Sequence, residues 1–330
     1  MNELIEKISS QLRHAKIPLK SEYLSLFPQY SKELQNIFEL HFLNDFTQEE
    51  FEEIIFRDNV VLIKKSQENI QKKLCISQKI LHISFELLAL RSHVYWNEQN
   101  PFQSFMARIG IKSFRVSMLH KATGSSSHQY FLRNSQIKSF AMESFLQKTS
   151  IVQRLINTRG NFLISGASGS GKTSFLNSIL SSIPVNENII VIEDLKEISI
   201  KQVHCSRLIS KNSKQLKDFC AYALRMNPDR IILGEIRSQE IVPLVLAINS
   251  GVKGVTSTIH ANSAIDAVDR MAQLFELFSQ SQNIKFAQVI KFIVNNISFV
   301  FHLENKVVKE IIELKNVHQG EIIFDEIPLL

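Results

Sequence analysis

The chain has 330 residues, 44% of them apolar, and a formal net charge of +6. That length accommodates two domains, and the apolar fraction excludes a disordered or low-complexity protein. Residues 1–134 hold 17 Lys/Arg against 14 Asp/Glu and residues 135–330 hold 21 against 18, so no basic arm marks a dedicated nucleic-acid binder. Cys75, Cys205 and Cys220 are widely separated and show no metal-ligand spacing. Their odd number, and the lack of an apolar signal core in MNELIEKISS, point to reduced thiols in the cytoplasm. The apolar run Ile241–Ile248 falls far short of the roughly 20 residues that span a bilayer.

Residues 1–53 read as helical, with Leu4, Ile5, Ile8 and Leu12 at helical spacing. The acids Glu49, Glu50, Glu52 and Glu53 fit a solvated helix face better than a metal site. Asn59–Lys64 turns to strand character, and residues 75–95 fit either strand or helix. In that segment His82 has no second ligand at a useful spacing. After Pro101, residues 105–109 and 113–119 predict paired strands, and 130–133 a further short one. The first part is thus an α+β domain over 1–134, with Arg115 and Arg133 on or beside its strands. Residues 135–150 predict a linker with a short helix, and 151–330 a second domain.

That second domain alternates strand and helix, the pattern of a parallel sheet with covering helices. Strands are expected at 161–165, 188–192, 229–233 and 254–259, with helices at about 171–183, 213–226, 238–249, 263–280 and 285–295. Ser263-Ala-Ile-Asp266 is a helix-capping sequence. Three strand-like segments close the chain.

The phosphate-loop pattern Gly166-x-x-x-x-Gly171-Lys172-Thr173 is entered by an apolar strand and left by a helix. The backbone of Gly166, Ala167, Ser168, Gly169, Ser170 and Gly171 can curl so that its N–H groups converge on phosphate oxygens at a helix N-terminus. Lys172 then reaches the β- and γ-phosphates, and the Thr173 hydroxyl is placed for Mg²⁺. Three further strands end in candidate groups. Glu193, with Asp194 beside it, either acts on an attacking water or belongs to an ordinary acidic turn. Glu235 either holds the Mg²⁺ shell through water or is a structural acid beside Arg237. His260 either hydrogen-bonds a γ-phosphate or is structural.

Taken together, GASGSGKT, IEDLKEI, MNPDRIILGEIR and GVTSTIHANS resemble the type II/IV secretion ATPase family, which includes Vir- and Trb-type conjugation ATPases and pilus-assembly motors. In that family the last three are the Asp box, the Walker B motif and the His box. The matching residues are Gly166, Gly171, Lys172, Thr173, Glu193, Asp194, Gly234, Glu235, Arg237 and His260. In the first domain, Ala107-Arg108, Phe114-Arg115-Val116 and Phe131-Leu132-Arg133 resemble strands bearing phosphate-contacting arginines. Asn227 departs from the arginine usual there, and the tetracysteine insertion of many type II members is absent.

The resemblance implies an α/β fold: a RecA-like P-loop NTPase core with a separate α+β N-terminal domain. It further implies ATP and Mg²⁺ as cofactors, a homohexamer, inner-membrane machine components as partners, and a peripheral location at the cytoplasmic face of the inner membrane. It implies no sequence-specific nucleic-acid binding. Glu193, Glu235, His260, Arg115 and Arg133 are the catalytic candidates. A non-catalytic nucleotide-gated scaffold and a RecA-like nucleic-acid motor are the alternatives. A guanine-reading Asn-Lys-x-Asp and an ABC-type Leu-Ser-Gly-Gly-Gln are both missing.

Overall fold

The computed structural model describes every residue except 49, 66–67, 136–139, 211–212, 280–284 and 330. Glu49 of the acidic cluster and part of the expected linker therefore lie outside the described residues. The chain divides into two compact units, Met1–Gln136 and Ile137–Leu330.

Unit 1 begins with helices α1 (Asn2–Arg13), α2 (Lys20–Leu26) and α3 (Ser31–Glu39). Six strands follow, interrupted by one helix: β1 (Glu53–Arg57), β2 (Val60–Lys64), β3 (Asn69–Lys73), α4 (Gln78–Arg91), β4 (Phe102–Ile109), β5 (Lys112–Leu119) and β6 (Gln129–Asn134). They form an antiparallel sheet in the order β3-β2-β1-β6-β5-β4. The segment that fitted strand or helix is α4. The Ser77 hydroxyl accepts from the Ile80 N–H at its start, and Leu81, Phe85 and Leu88 recur on one face toward the sheet's core. Strands β1 and β3 lie outside the sequence-based expectations. β3 (NIQKK) is a mostly exposed edge strand whose lysines mask an unpaired sheet border, so it carries no hydrophobic alternation.

Unit 2 runs α5 (Ser150–Thr158), β7 (Phe162–Gly166), α6 (Lys172–Leu180), β8 (Ile189–Glu193), β9 (Cys205–Ile209), α7 (Ser213–Ala223), β10 (Arg230–Ile236), α8 (Ile241–Asn249), β11 (Thr256–Ile259), α9 (Ala264–Phe278), α10 (Phe286–Asn296), β12 (Phe299–Glu304), β13 (Val307–His318) and β14 (Glu321–Glu326). The eight-stranded sheet has the order β14-β13-β12-β7-β11-β10-β8-β9. Its six strands from β12 to β9 are parallel, and the last hairpins add β13 and β14 antiparallel. β7 and β8 are buried along their whole length, as continuous apolar runs covered on both faces require. The expected strands and helices of this unit are all present. Only the edge strand β9 was not expected, because CSRLI is half-buried and carries no clear period. Ser263 caps α9, accepting from the Asp266 N–H at 3.0 Å.

At the sheet's opposite end Arg230 is almost fully buried. Its guanidinium meets both oxygens of buried Glu187 and donates to Ile156 O at 2.7 Å. Arg159 joins the same network through Glu187 and Asp229. This buried charge is fully paired, which is the condition for tolerating it.

Candidate nucleotide site

In a parallel sheet the crevice for ligands lies beyond the C-terminal ends of the strands. Here neighbouring strands β7, β11, β10 and β8 deliver, in that spatial order, the phosphate loop, His260, Glu235 and Glu193-Asp194. Strands about 4.8 Å apart bring side chains at their ends within reach of one another.

Three loop glycines, Gly166, Gly169 and Gly171, have positive φ. At Gly166 (φ +144°) a Cβ would stand 2.4 Å from Leu303 O and 2.6 Å from Ser170 Oγ, so only glycine fits. The turn between β12 and β13 supports the loop from below, Lys306 N–H donating to Ser170 O at 3.1 Å. Helix α6 starts directly after Gly171 and directs its free N–H groups at this loop. Ser170 Oγ is buried without a hydrogen-bond partner among the described residues. A curled backbone, a helix N-terminus and an unsatisfied hydroxyl fit a bound phosphate.

Lys172 is buried, and its ammonium donates to Gly166 O and Ala167 O at 2.8 Å each. Burial pushes its pKa down, against the pull of Glu235. His260 Nδ1 lies 3.3 Å from Lys172 Nζ, and its Nε2 lies 2.9 Å from Glu235 Oε1. That second approach has ion-pair distance without hydrogen-bond alignment, which leaves Glu235 Oε1 buried and unsatisfied. The other oxygen, Oε2, accepts from Arg237, which also donates to Asp194 Oδ2 at 2.7 Å. The Glu235 hydrogen bond, first, and the two carboxylate charges raise the Arg237 pKa. Lys172, His260, Glu235, Arg237 and Asp194 thus form one line of contacts across four strands.

Gly234 makes room in that line. A Cβ there would lie 3.2 Å from Glu193 Cβ, and β10 loses regular register with β11 between Leu233 and Ile236. Thr258 Oγ1 donates to Gly234 O at 2.7 Å and fixes the irregular stretch.

Glu193 ends β8. It is 3% exposed, and both its oxygens are engaged. Oε2 accepts from the Glu197 and Ile198 N–H groups at 2.9 and 3.0 Å. Oε1 pairs with Arg207 of β9, whose other nitrogen donates to Ile198 O at 2.8 Å. Burial raises the Glu193 pKa although the N–H groups and Arg207 lower it. Arg207 had no signal in the sequence, being a single arginine in an unexpected strand. Arg115 and Arg133 stand opposite each other on β5 and β6 in unit 1, and Arg133 also faces Glu53.

Among the described residues no group of three or more His, Cys, Asp or Glu side chains could by itself hold a metal ion. A Mg²⁺ that takes most of its ligands from phosphate and water needs no such group.

The sequence profile of the type II/IV secretion system protein family matches residues 39–297. The chain belongs to this family. Relatives include the type IV secretion system protein VirB11 of Bartonella quintana, 37% identical over 131 residues, or 38% of this chain and 37% of that protein. The conjugal transfer protein TrbB of Rhizobium radiobacter is 33% identical over 136 residues, 40% of this chain and 42% of its own length. The matches thus span well under half of either relative. Among solved structures, the ADP-bound pilus retraction motor PilT aligns with a TM-score of 0.63 at 18% identity, covering 88% of this chain and 82% of its own. The Yersinia pseudotuberculosis ATPase DotB aligns at 0.60 and 17%, covering 86% and 76%. At such identities the likeness establishes the fold: a P-loop NTPase core with a separate α+β N-terminal domain.

Proposed function

We propose that this chain is a Mg²⁺-dependent ATPase that powers a type IV secretion machine or a related conjugation or pilus machine. It works as a homohexamer on inner-membrane components, at the cytoplasmic face of that membrane. The observation that carries the reading is the line Lys172–His260–Glu235 beside a phosphate-loop backbone that only glycine can adopt.

In this reading the N–H groups of 166–173 hold the phosphates, and Lys172 exchanges its contacts with Gly166 O and Ala167 O for phosphate oxygens. The Thr173 hydroxyl and, through water, Glu235 would hold a Mg²⁺, which would supply positive charge beside the phosphates. The unsatisfied Oε1 of Glu235 is the acceptor for a water, and His260, lying between Lys172 and Glu235, senses the terminal phosphate. Glu193 positions the 194–198 turn, while Asp194 and Arg237 orient Glu235. Arg115 and Arg133 supply positive charge to the nucleotide, a contribution of roughly 10³–10⁵ in rate for such fingers elsewhere.

The test is ATP turnover by the purified chain beside Lys172→Ala, Glu235→Gln and Arg115→Ala/Arg133→Ala, with oligomer mass measured with and without nucleotide. Slow Mg²⁺-dependent turnover by a hexamer, lost in each variant, is expected. Nucleotide binding by a ring without turnover would replace the motor with a nucleotide-gated scaffold, and stimulation by single-stranded DNA would replace it with a nucleic-acid motor.

A further inference from the structure

Two hairpins of unit 2 close with the same kind of two-residue turn. In β13–β14, His318 faces Glu321 across Gln319-Gly320, and both turn residues have positive φ, +50° and +88°. In β12–β13, Glu304 faces Val307 across Asn305-Lys306, again with both at positive φ, +49° and +66°. Such turns take asparagine readily at the first position and glycine at the second, because a Cβ is strained in the left-handed region. At the second position of the β12–β13 turn this chain carries a lysine instead.

Lys306 also stands against positive charge. Its N–H donates to Ser170 O at 3.1 Å, which fixes the turn on the phosphate loop. A Cβ on Gly171 would lie 3.3 Å from Lys306 Cα and 3.6 Å from both its Cβ and its Cγ, so the lysine stem runs along the last loop glycine. Gly171 directly precedes α6, whose N-terminus carries partial positive charge, and Lys172 follows it. The Lys306 side chain is exposed and has no ion pair among the described residues. Glu304, the acid of the same turn, lies 3.6 Å from His302 Nε2. A strained lysine held on a cationic loop is accounted for when an anion occupies that loop.

Strand order assigns the part of the anion that it meets. β12 and β11 flank β7 on opposite sides. His260, just past the end of β11, stands 3.3 Å from Lys172, on the side given above to the terminal phosphate. Lys306 approaches from the β12 side and so faces the other end of a phosphate chain.

We propose that Lys306 is a further nucleotide-binding residue, its ammonium pairing with the α-phosphate of a bound nucleoside di- or triphosphate. The inference deepens the nucleotide-site reading proposed above and rests on it. The α-phosphate is common to ATP and ADP and keeps its charge through hydrolysis. The contact therefore strengthens both ligands alike, lowering KM and leaving kcat unchanged.

The test is calorimetric titration of the full chain with ADP and with a non-hydrolysable ATP analogue in Mg²⁺, beside ATP turnover and thermal melts. Lys306→Gly removes the charge, keeps the backbone N–H and suits the turn. It is expected to weaken both ligands about five- to tenfold, as one charge-assisted contact at an exposed rim. KM should rise by the same factor at unchanged kcat, and the nucleotide-free chain should melt at or above wild type. Lys306→Arg keeps the charge and should bind within about twofold of wild type. Lys253→Gln, an exposed cation ahead of β11 at the other end of the sheet, controls for net charge and should bind as wild type. Unchanged ADP affinity in Lys306→Gly overturns the proposal, as does an equal loss in Lys306→Arg or Lys253→Gln. A loss confined to the ATP analogue or to kcat also overturns it, since the lysine would then serve the terminal phosphate. Weaker binding together with a lower melting point in Lys306→Gly would make the role structural and overturns it too. A wild-type chain that binds neither nucleotide removes the nucleotide-site reading itself, whereas wild-type binding matched by Lys306→Gly removes only this proposal.

Discussion

Replacing Arg207 with methionine removes the only side chain paired with the buried carboxylate of Glu193 among the described contacts. Breaking a buried ion pair by deleting one partner costs about 3–5 kcal/mol. Here Oε2 keeps its two backbone N–H bonds and the Arg207 side chain is 20% exposed, so about 2–3 kcal/mol is expected at pH 8. The loss depends on pH in a defined direction. Burial already raises the folded-state pKa of Glu193, so the folded chain binds this proton more tightly than the unfolded chain. Its contribution to stability therefore falls as pH rises from the ordinary carboxylate range through the folded pKa. Removing Arg207 takes away two influences that lower that pKa and widens the window upward.

At pH 5 the variant's Glu193 can take up a proton and escape most of the penalty, leaving a loss of about 1 kcal/mol. For a unit of this size that corresponds to a midpoint lowered by about 4–12 °C at pH 8 and about 2–4 °C at pH 5. Thermal melts followed by far-UV circular dichroism at both pH values read this out. Adding Glu193→Gln should recover part of the loss at pH 8 and little at pH 5. An equal or larger loss at pH 5 would refute the assignment of Arg207 as counter-ion to Glu193.

Gly166→Ala should abolish nucleotide binding and destabilise by about 2–4 kcal/mol, because strained φ and a backbone clash coincide. Gly169→Ala, with positive φ and open space around its Cβ, should cost only about 1 kcal/mol; equal effects in fluorescent-nucleotide titrations and melts would contradict the cradle geometry. Glu187→Ala strands buried Arg230 and should cost about 3–5 kcal/mol by urea denaturation, with little effect on nucleotide affinity. In unit 1 burial, with neighbouring imidazoles and Lys121, pushes the pKa of His82 down to about 4 and that of His128 to about 3. Both folded values lie below the ordinary one, so stability is full above about pH 6.5 and is lost as pH falls toward 4; about 2 kcal/mol should go between pH 7 and 5 from His82 alone. Trp96, the chain's single tryptophan, packs against His82, His120 and His128; its fluorescence in denaturant titrations reports that loss, which His82→Phe should reduce.

The nucleotide-binding unit was legible because its signals are local. A buried parallel strand shows as an apolar run, and a phosphate loop must have glycine where φ is positive, so both appear in consecutive residues. The capping Ser263 and the glutamate just after Gly234 are local in the same sense. The elements outside the expectations, β1, β3 and β9, owe their form to partners elsewhere. β3 is polar because it is an edge, and β9 is half-buried without a period, its Arg207 turned toward Glu193. For short strands, what neighbours demand outweighs propensity.

The arrangement of the site was not legible for a related reason. Along the chain the motifs run phosphate loop, Glu193, Glu235, His260, but across the sheet they run β7, β11, β10, β8. His260, last in sequence, therefore stands next to Lys172, and Glu193, second in sequence, stands farthest away. Motif order alone leaves Glu193 either a part in the chemistry or an ordinary acidic turn. Strand order puts it beside the far end of the line that starts at the phosphate-loop lysine and finishes at Asp194. The consequence separates the acids: Glu235→Gln should remove turnover while leaving the fold intact, since its Oε1 has no hydrogen bond to lose. Glu193→Gln should disturb the 194–198 turn, and turnover only through it, because both its oxygens already hold that turn in place.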